Sequence, residues 1–127
     1  MTRQIGEIQV LKGDEVVYIH PIGAFAVMIG RRPENDLRLA DARVSSHHLV
    51  LRWFGDRLLA HDLGSKNGTF INDVLVTNPT PVADQDIIRL GSAIQLRICL
   101  RPAPPGLTLE RPYFVVTDLN TAVAHSV

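Results

Sequence analysis

Three short stretches carry side chains suited to holding a small, strongly charged anion. The first is Gly30-Arg31. The second is Val44-Ser45-Ser46-His47-His48. The third runs from Asp62 to Asn72 and contains Gly64-Ser65-Lys66-Asn67-Gly68-Thr69. Arg31 supplies a planar guanidinium that donates in two prongs, the geometry a phosphate favours. Ser45 and Ser65 supply hydroxyls, and Lys66 a compact positive charge. Asn67 supplies an amide that both donates to and accepts from an extended backbone. Gly64 and Gly68 permit positive φ, which turns backbone N–H groups outward. The set as a whole is a donor array for a dianionic phosphate.

Other chemistries fit these residues less well. Ser45, His48 and Asp62 are the three side-chain types of a hydrolytic triad, which makes a small Ser/His/Asp hydrolase the remote alternative. The chain lacks a Gly-x-Ser-x-Gly elbow, and it lacks the Gly-x-x-x-x-Gly-Lys-Ser/Thr loop of a nucleotide binder. His20, His61 and His125 are scattered without metal-ligand spacing, so no metal site and no cofactor is expected. His48 reads as structural, and His47 as exposed beside the site. Arg38 reads as a basic loop residue, whereas Arg32 and Arg43 read equally as loop residues or as part of a positive field around the pocket, offset by Glu34, Asp36 and Asp41.

Loops of this kind need a rigid frame, and the frame reads as strands. Ile8–Leu11, Val16–Ile19 and Ala24–Ile29 are short β-rich runs. His48–Phe54 and Leu58–Leu63 flank Gly55-Asp56, a hairpin signature. Ile94, Leu96, Ile98 and Leu100 alternate with Gln95, Arg97, Cys99 and Arg101, so the last strand has one core face and one wetter face. No stretch shows helical periodicity. Many short strands divided by Gly, Pro, Asn and Asp turns point to an all-β sandwich, in which loops at strand ends gather at one pole.

With those residues in that order, the chain resembles the forkhead-associated (FHA) domain family over roughly residues 6–100. The resemblance rests on Gly30-Arg31, then Ser45-Ser46-His47-His48, then Ser65-Lys66-Asn67-Gly68-Thr69 with Asn72. Asn35-Asp36-Leu37 between the first two sets resembles the family's usual insert. It implies a β-sandwich of about eleven short strands with the binding loops at one end. It also implies a module that binds phosphothreonine peptides as a signalling adaptor for Ser/Thr kinase output. Arg31, Ser45, Ser46, Ser65, Lys66 and Asn67 would then face phosphate or peptide. Gly30, His48, Gly64, Gly68, Thr69 and Asn72 would support the loops. Two positions depart from the family pattern. Ser46 stands where Arg is frequent, and Asn72 is followed by Asp73 rather than Gly.

Composition limits the remaining classes. The 127 residues make one domain, with 46% hydrophobic and 20% charged residues. Lys+Arg and Asp+Glu are 13 each, a balance that argues against direct nucleic-acid binding. A single cysteine, Cys99, cannot form an internal disulfide, and no apolar run approaches the ~20 residues of a membrane span. A cytoplasmic location follows as an expectation. The FHA domain is expected over residues 1–100. A Pro-rich linker and tail are expected over 101–127, with one added strand possible at 113–117. Thr108, Thr117 and Thr121 lie on that tail. Phosphorylated there, the tail would fill the pocket in cis, or in trans by tail-mediated self-association. The alternative to phosphopeptide reading is a phosphate-independent scaffold or dimerisation domain of the same fold.

Overall fold

The structure is a computed structural model and describes residues 4–104 apart from Ala93. Eleven strands appear in chain order. They are β1 (Gln4–Lys12), β2 (Glu15–Ile22), β3 (Val27–Gly30), β4 (Leu37–Arg38), β5 (Leu49–Phe54), β6 (Arg57–Asp62), β7 (Thr69–Ile71), β8 (Val74–Leu75), β9 (Thr80–Val82), β10 (Ile87–Leu90) and β11 (Ile94–Pro102). They form two sheets. One has six strands in the order β2-β1-β11-β10-β7-β8, and the other has five in the order β4-β3-β5-β6-β9. This is the all-β sandwich that the turn-punctuated sequence pattern implied.

The alternation of residue types decides which face of each strand is buried. On β11, Leu96 and Ile98 are fully buried, with Ile94 and Leu100 packed beside them. Ile8 and Val10 of β1 and Ile88 and Leu90 of β10 complete that side of the core. Ile29, Leu49, Leu51 and Leu58 face them from the five-stranded sheet. Gly55, at φ +63°, makes the two-residue turn between β5 and β6, pairing Phe54 with Arg57 as the hairpin signature predicted.

Register gathers the informative loops. Ile29 near the end of β3 pairs with Leu49 at the start of β5, and Leu49 pairs with Asp62 at the end of β6. In the other sheet, Thr69 at the start of β7 pairs with Leu90 at the end of β10. The loops 31–36, 39–48 and 63–68 and the turn at Gly91 therefore leave from strand ends at one pole.

Two features differ from the sequence reading. β11 continues through Arg101 and Pro102, which pair with Ile5 and Gln4, so the strand runs beyond Leu100. The turn at Asn72-Asp73 is tight although Gly is missing. Both residues take positive φ, +48° and +68°, and Ile71 still pairs with Val74. Asn72 is held by its surroundings: its Nδ2 donates to Asp86 at 2.9 Å, and its Oδ1 accepts from the Ile87 N–H at 3.0 Å. Asn and Asp are the non-glycine residues that tolerate this conformation best. The linker beyond residue 104, the stretch 113–117 and the tail threonines lie outside the described residues.

Candidate functional site

Ser45 ties the three loops together. Its carbonyl accepts from the Arg31 backbone N–H at 2.9 Å, which fastens the Gly30-Arg31 loop to it. Its hydroxyl oxygen accepts from the Lys66 backbone N–H, also at 2.9 Å. Its own N–H donates to His48 Nδ1 at 3.1 Å. With an acceptor role already filled by the Lys66 N–H, the Ser45 hydroxyl proton remains for an outside acceptor.

His48 is completely buried and works as a two-ended brace. Nδ1 accepts from Ser45, and Nε2 lies 2.9 Å from the Gly68 carbonyl oxygen, which can only accept. The proton therefore sits on Nε2 and the ring is neutral. Burial pushes the ring's pKa below the usual histidine value, outweighing the Gly68 carbonyl and Asp62, which favour the cation. Both nitrogens are occupied by backbone groups, so His48 touches neither the Ser45 hydroxyl nor the Asp62 carboxylate. The three triad residue types are close in space but not wired as a triad.

Arg31 is half-buried and aimed by its neighbours. One terminal nitrogen donates to the Ala42 carbonyl at 3.2 Å, and the other to Ser46 Oγ at 3.3 Å. A guanidinium carries five N–H donors, so most of the fork is left for a ligand. Ser46, in the position where the family often has Arg, thus acts on Arg31. Arg38 Nε donates to the Arg31 carbonyl at 2.8 Å and steadies the same loop. Arg32 pairs with Glu34 and Arg43 with Asp41, so these cations are partly spent locally.

Two residues that the sequence named, Asn35 in the insert and Asp62 as a triad type, shape the pole in a way it did not indicate. Asn35 is buried, and its Nδ2 donates to the carbonyls of Arg32 at 2.9 Å and Ser46 at 2.8 Å, clamping two loops. Gly30 makes room for this clamp. A Cβ there would overlap the Ser46 carbonyl oxygen and lie 2.8 Å from Asn35 Nδ2. Asp62 is the hub of the third loop. It accepts from the N–H groups of Gly64 and Ser65, each at 3.0 Å, and from the hydroxyls of Ser65 and Thr69. Burial alone would raise its pKa, but these four donors hold it below the usual carboxylate value. The signal was present as an Asp two and three residues ahead of Gly-Ser, the pattern of a side chain capping its own turn.

The candidate residues sort accordingly. Arg31, Ser45, Lys66 and Asn67 come together at the open end of the pole. Asn67 Nδ2 donates to the Arg43 carbonyl at 2.8 Å, which directs the amide and leaves its Oδ1 for a further partner. Ser65 gives its hydroxyl proton to Asp62, and buried Thr69 does the same. Gly64 and Gly68 adopt φ of +78° and +86° on either side of Lys66-Asn67.

Comparison with known proteins places this pole in a family. The model of the FHA domain family matches residues 27–91, more than half of the chain. The chain belongs to the FHA domain family. FhaA of Mycobacterium tuberculosis, an FHA domain-containing protein, is 45% identical over 64 residues, which is 50% of this chain and 12% of FhaA. The chain thus spans a small part of that relative's length. A solved FHA domain studied for phosphothreonine-dependent FHA interactions superimposes with a TM-score of 0.69 at 32% identity, covering 78% of this chain and 99% of its own. The FhaA FHA domain, solved in complex with the intracellular domain of Rv3910, gives a TM-score of 0.65 at 33% identity, covering 73% of this chain and 98% of its own.

Proposed function

We propose that this FHA domain binds phosphothreonine peptides and acts as an adaptor that reads Ser/Thr kinase output in the cytoplasm. The observation that carries the reading is the convergence of Arg31, Ser45 and Lys66 through hydrogen bonds to one residue, Ser45. The solved relatives studied for phosphothreonine-dependent interactions support it. In this reading the free N–H groups of Arg31 and the Ser45 hydroxyl donate to phosphate oxygens, with the Lys66 ammonium adding charge. Asn67 Oδ1 accepts from the ligand backbone. Ser46 acts by orienting Arg31. Ser65 acts through Asp62, which orders the turn carrying Lys66 and Asn67. We read the module as a binding domain: both nitrogens of His48 are spent on backbone, and among the described residues no base bonds Ser45 Oγ.

Charge-assisted hydrogen bonds contribute ~1.5–3 kcal/mol each, net. Ordering a flexible peptide offsets several kcal/mol of that gain. The difference points to affinity of about micromolar, near −8 kcal/mol. Calorimetry with matched phosphorylated and plain threonine peptides, selected from an oriented phosphothreonine library, tests the reading. Heat is expected from the phosphorylated member only, and Arg31→Ala removes it. Equal heats for both members would establish a phosphate-independent scaffold instead.

A further inference from the structure

Each sheet has two edge strands, and three of these four are very short. β4 and β8 have two residues each, and β9 has three. Short edges protect a sheet, because a brief row of unpaired backbone groups offers little to a further strand. The fourth edge is β2, Glu15–Ile22, and it has eight residues. The charged residues that commonly guard a long edge are scarce there. Glu15, its first residue, is the only Asp, Glu, Lys or Arg in the strand.

Hydrogen-bond alternation fixes which backbone groups of β2 face outward. Ile98 of β11 bonds on the side away from β1: its N–H donates to the Asp86 carbonyl at 2.9 Å, and its carbonyl accepts from the Gln85 N–H at 2.6 Å. Bonding direction alternates along an antiparallel strand. Ile8, opposite Ile98, therefore bonds toward His20 of β2, and Gln9 bonds toward Arg97 of β11. Ile19, opposite Gln9, is left with its N–H and its carbonyl turned away from β1. Pro21, which has no N–H, stands opposite Glu7, at a position where β1 requires no donor. Among the described residues no strand flanks β2 on its outer side. The side chains of Ile19 and Val16 are 44% and 38% exposed, so the edge is apolar as well as open.

The chain itself contains a segment that fits this edge. Tyr113-Phe114-Val115-Val116-Thr117 is an unbroken run of aromatic and β-branched residues, the composition of a strand. β11 ends at Pro102, which pairs with Gln4, and Gly6 of the same strand pairs with Ile22. The tail therefore leaves from the end of the sheet at which β2 finishes. From β11 to the open side of β2 is three strand spacings, about 14 Å. Residues 103–112, fully extended, reach roughly 30 Å. A segment arriving at the Ile22 end runs antiparallel to β2, the more stable pairing.

We infer that residues 113–117 add a seventh strand to the six-stranded sheet, antiparallel to β2 and bonded to the outward N–H and carbonyl of Ile19. A second copy of the chain, pairing β2 with β2, is the competing occupant. The tether favours the tail: joined to β11, it meets the edge at an effective concentration on the order of millimolar, whereas a second copy comes from dilute solution. This pairing is independent of the phosphothreonine reading.

Amide hydrogen exchange followed by NMR on the full chain tests it. The Ile19 N–H is expected to exchange at least tenfold more slowly in wild type than in Val115→Pro, where the proline removes the central donor of the added strand. The Ile98 N–H, bonded inside the described sheet, should exchange alike in both and report that the domain stays folded. Nuclear Overhauser contacts between Ile19 and a residue within 113–117 are expected in wild type, and their absence overturns the pairing however the proline variant folds. Ile19 exchanging in wild type at the rate of an open amide also overturns it. So does slow exchange that persists in Val115→Pro; if that slow exchange strengthens with protein concentration, a second copy is the occupant instead.

Discussion

At the scale of single residues, the site depends on which lone pairs and protons are already used. Ser45 and Ser65 are chemically identical, yet their hydroxyls have opposite duties. Ser45 Oγ accepts from Lys66, and its proton has no acceptor among the described residues, whereas Ser65 spends its proton on Asp62. Arg31 has a similar split between donors that aim it and donors left over. Arg31→Lys keeps the charge but cannot both bond Ala42 and Ser46 and present a fork. It is expected to weaken phosphopeptide binding at least tenfold, about 1.4 kcal/mol, with thermal stability little changed. Peptide titration and a melting curve check both halves, and full affinity in the lysine variant would remove the two-pronged role. Asp62→Asn keeps one oxygen for the N–H groups of Gly64 and Ser65, sets an NH2 group against the hydroxyls of Ser65 and Thr69, and removes the charge that all four donors share. The expected loss is about 2 kcal/mol of stability, together with weaker phosphopeptide binding, since bonds to a charged acceptor contribute ~1.5–3 kcal/mol. Urea unfolding measures the first and calorimetry the second. A variant as stable and as tight as wild type would show that Asp62 does not order the loop.

At the scale of elements, strands supply position and the turns between them supply chemistry. Gly30 is the last residue of β3 and the point where Asn35 clamps the neighbouring loops. Gly30→Ala forces its Cβ into the Ser46 backbone, which cannot swing away as a flexible side chain would. The loops must separate, so destabilisation of about 2 kcal/mol or more is expected, with loss of phosphopeptide binding. A denaturation midpoint unchanged from wild type would show that the loops give way more easily than their geometry implies. The strand pattern of β1, β5, β6 and β11 was legible because alternation over several residues identifies a half-buried strand. The strands β4, β8 and β9, of two or three residues, were not. So short a segment has no period to read, and its partners alone make it a strand. β4 shows this clearly: it pairs in parallel with β3, with Leu37 beside Ile29.

At the scale of the whole molecule, two inward-facing histidines, His48 fully buried and His20 partly so, couple the fold to pH. His20 faces the interior from β2, its Nδ1 lacks a hydrogen-bond partner among the described residues, and burial pushes its pKa down to about 4 despite the opposing charge of Asp36. His48 is shifted in the same direction. Both bind protons more readily when unfolded, near the ordinary value of 6.5. Their contribution is therefore complete above pH 6.5 and is lost as pH falls toward their folded values. Asp62, held below its ordinary 3.8, adds a loss of the same sign at still lower pH. Urea midpoints should fall steadily between pH 7 and pH 4.5, and His20→Gln should flatten part of that slope. Equal midpoints across the range would contradict the buried neutral rings. Peptide binding weakens over an overlapping interval for another reason, since the ligand phosphate gains a proton near pH ~6. Comparing phosphopeptide affinity in His20→Gln with wild type isolates the share that His20 contributes, because the titrations of the ligand, His48 and Asp62 persist in both.

The amino-acid sequence by itself determined the class of fold, and it named Arg31, Ser45, Lys66 and Asn67 as the residues we propose for the ligand. Those features are local: alternation, turn residues and donor types in a fixed order are properties of neighbours along the chain. Tertiary structure alone decided which hydroxyl stays available, that His48 is a brace with its proton on Nε2, and that Asn35 and Asp62 hold the loops. It also decided that β2 stands at a sheet edge with the backbone of Ile19 turned outward. Each of those outcomes depends on which distant carbonyl or N–H lies within about 3 Å of a given atom. That is set by strand register across two sheets, which no local pattern in the sequence encodes.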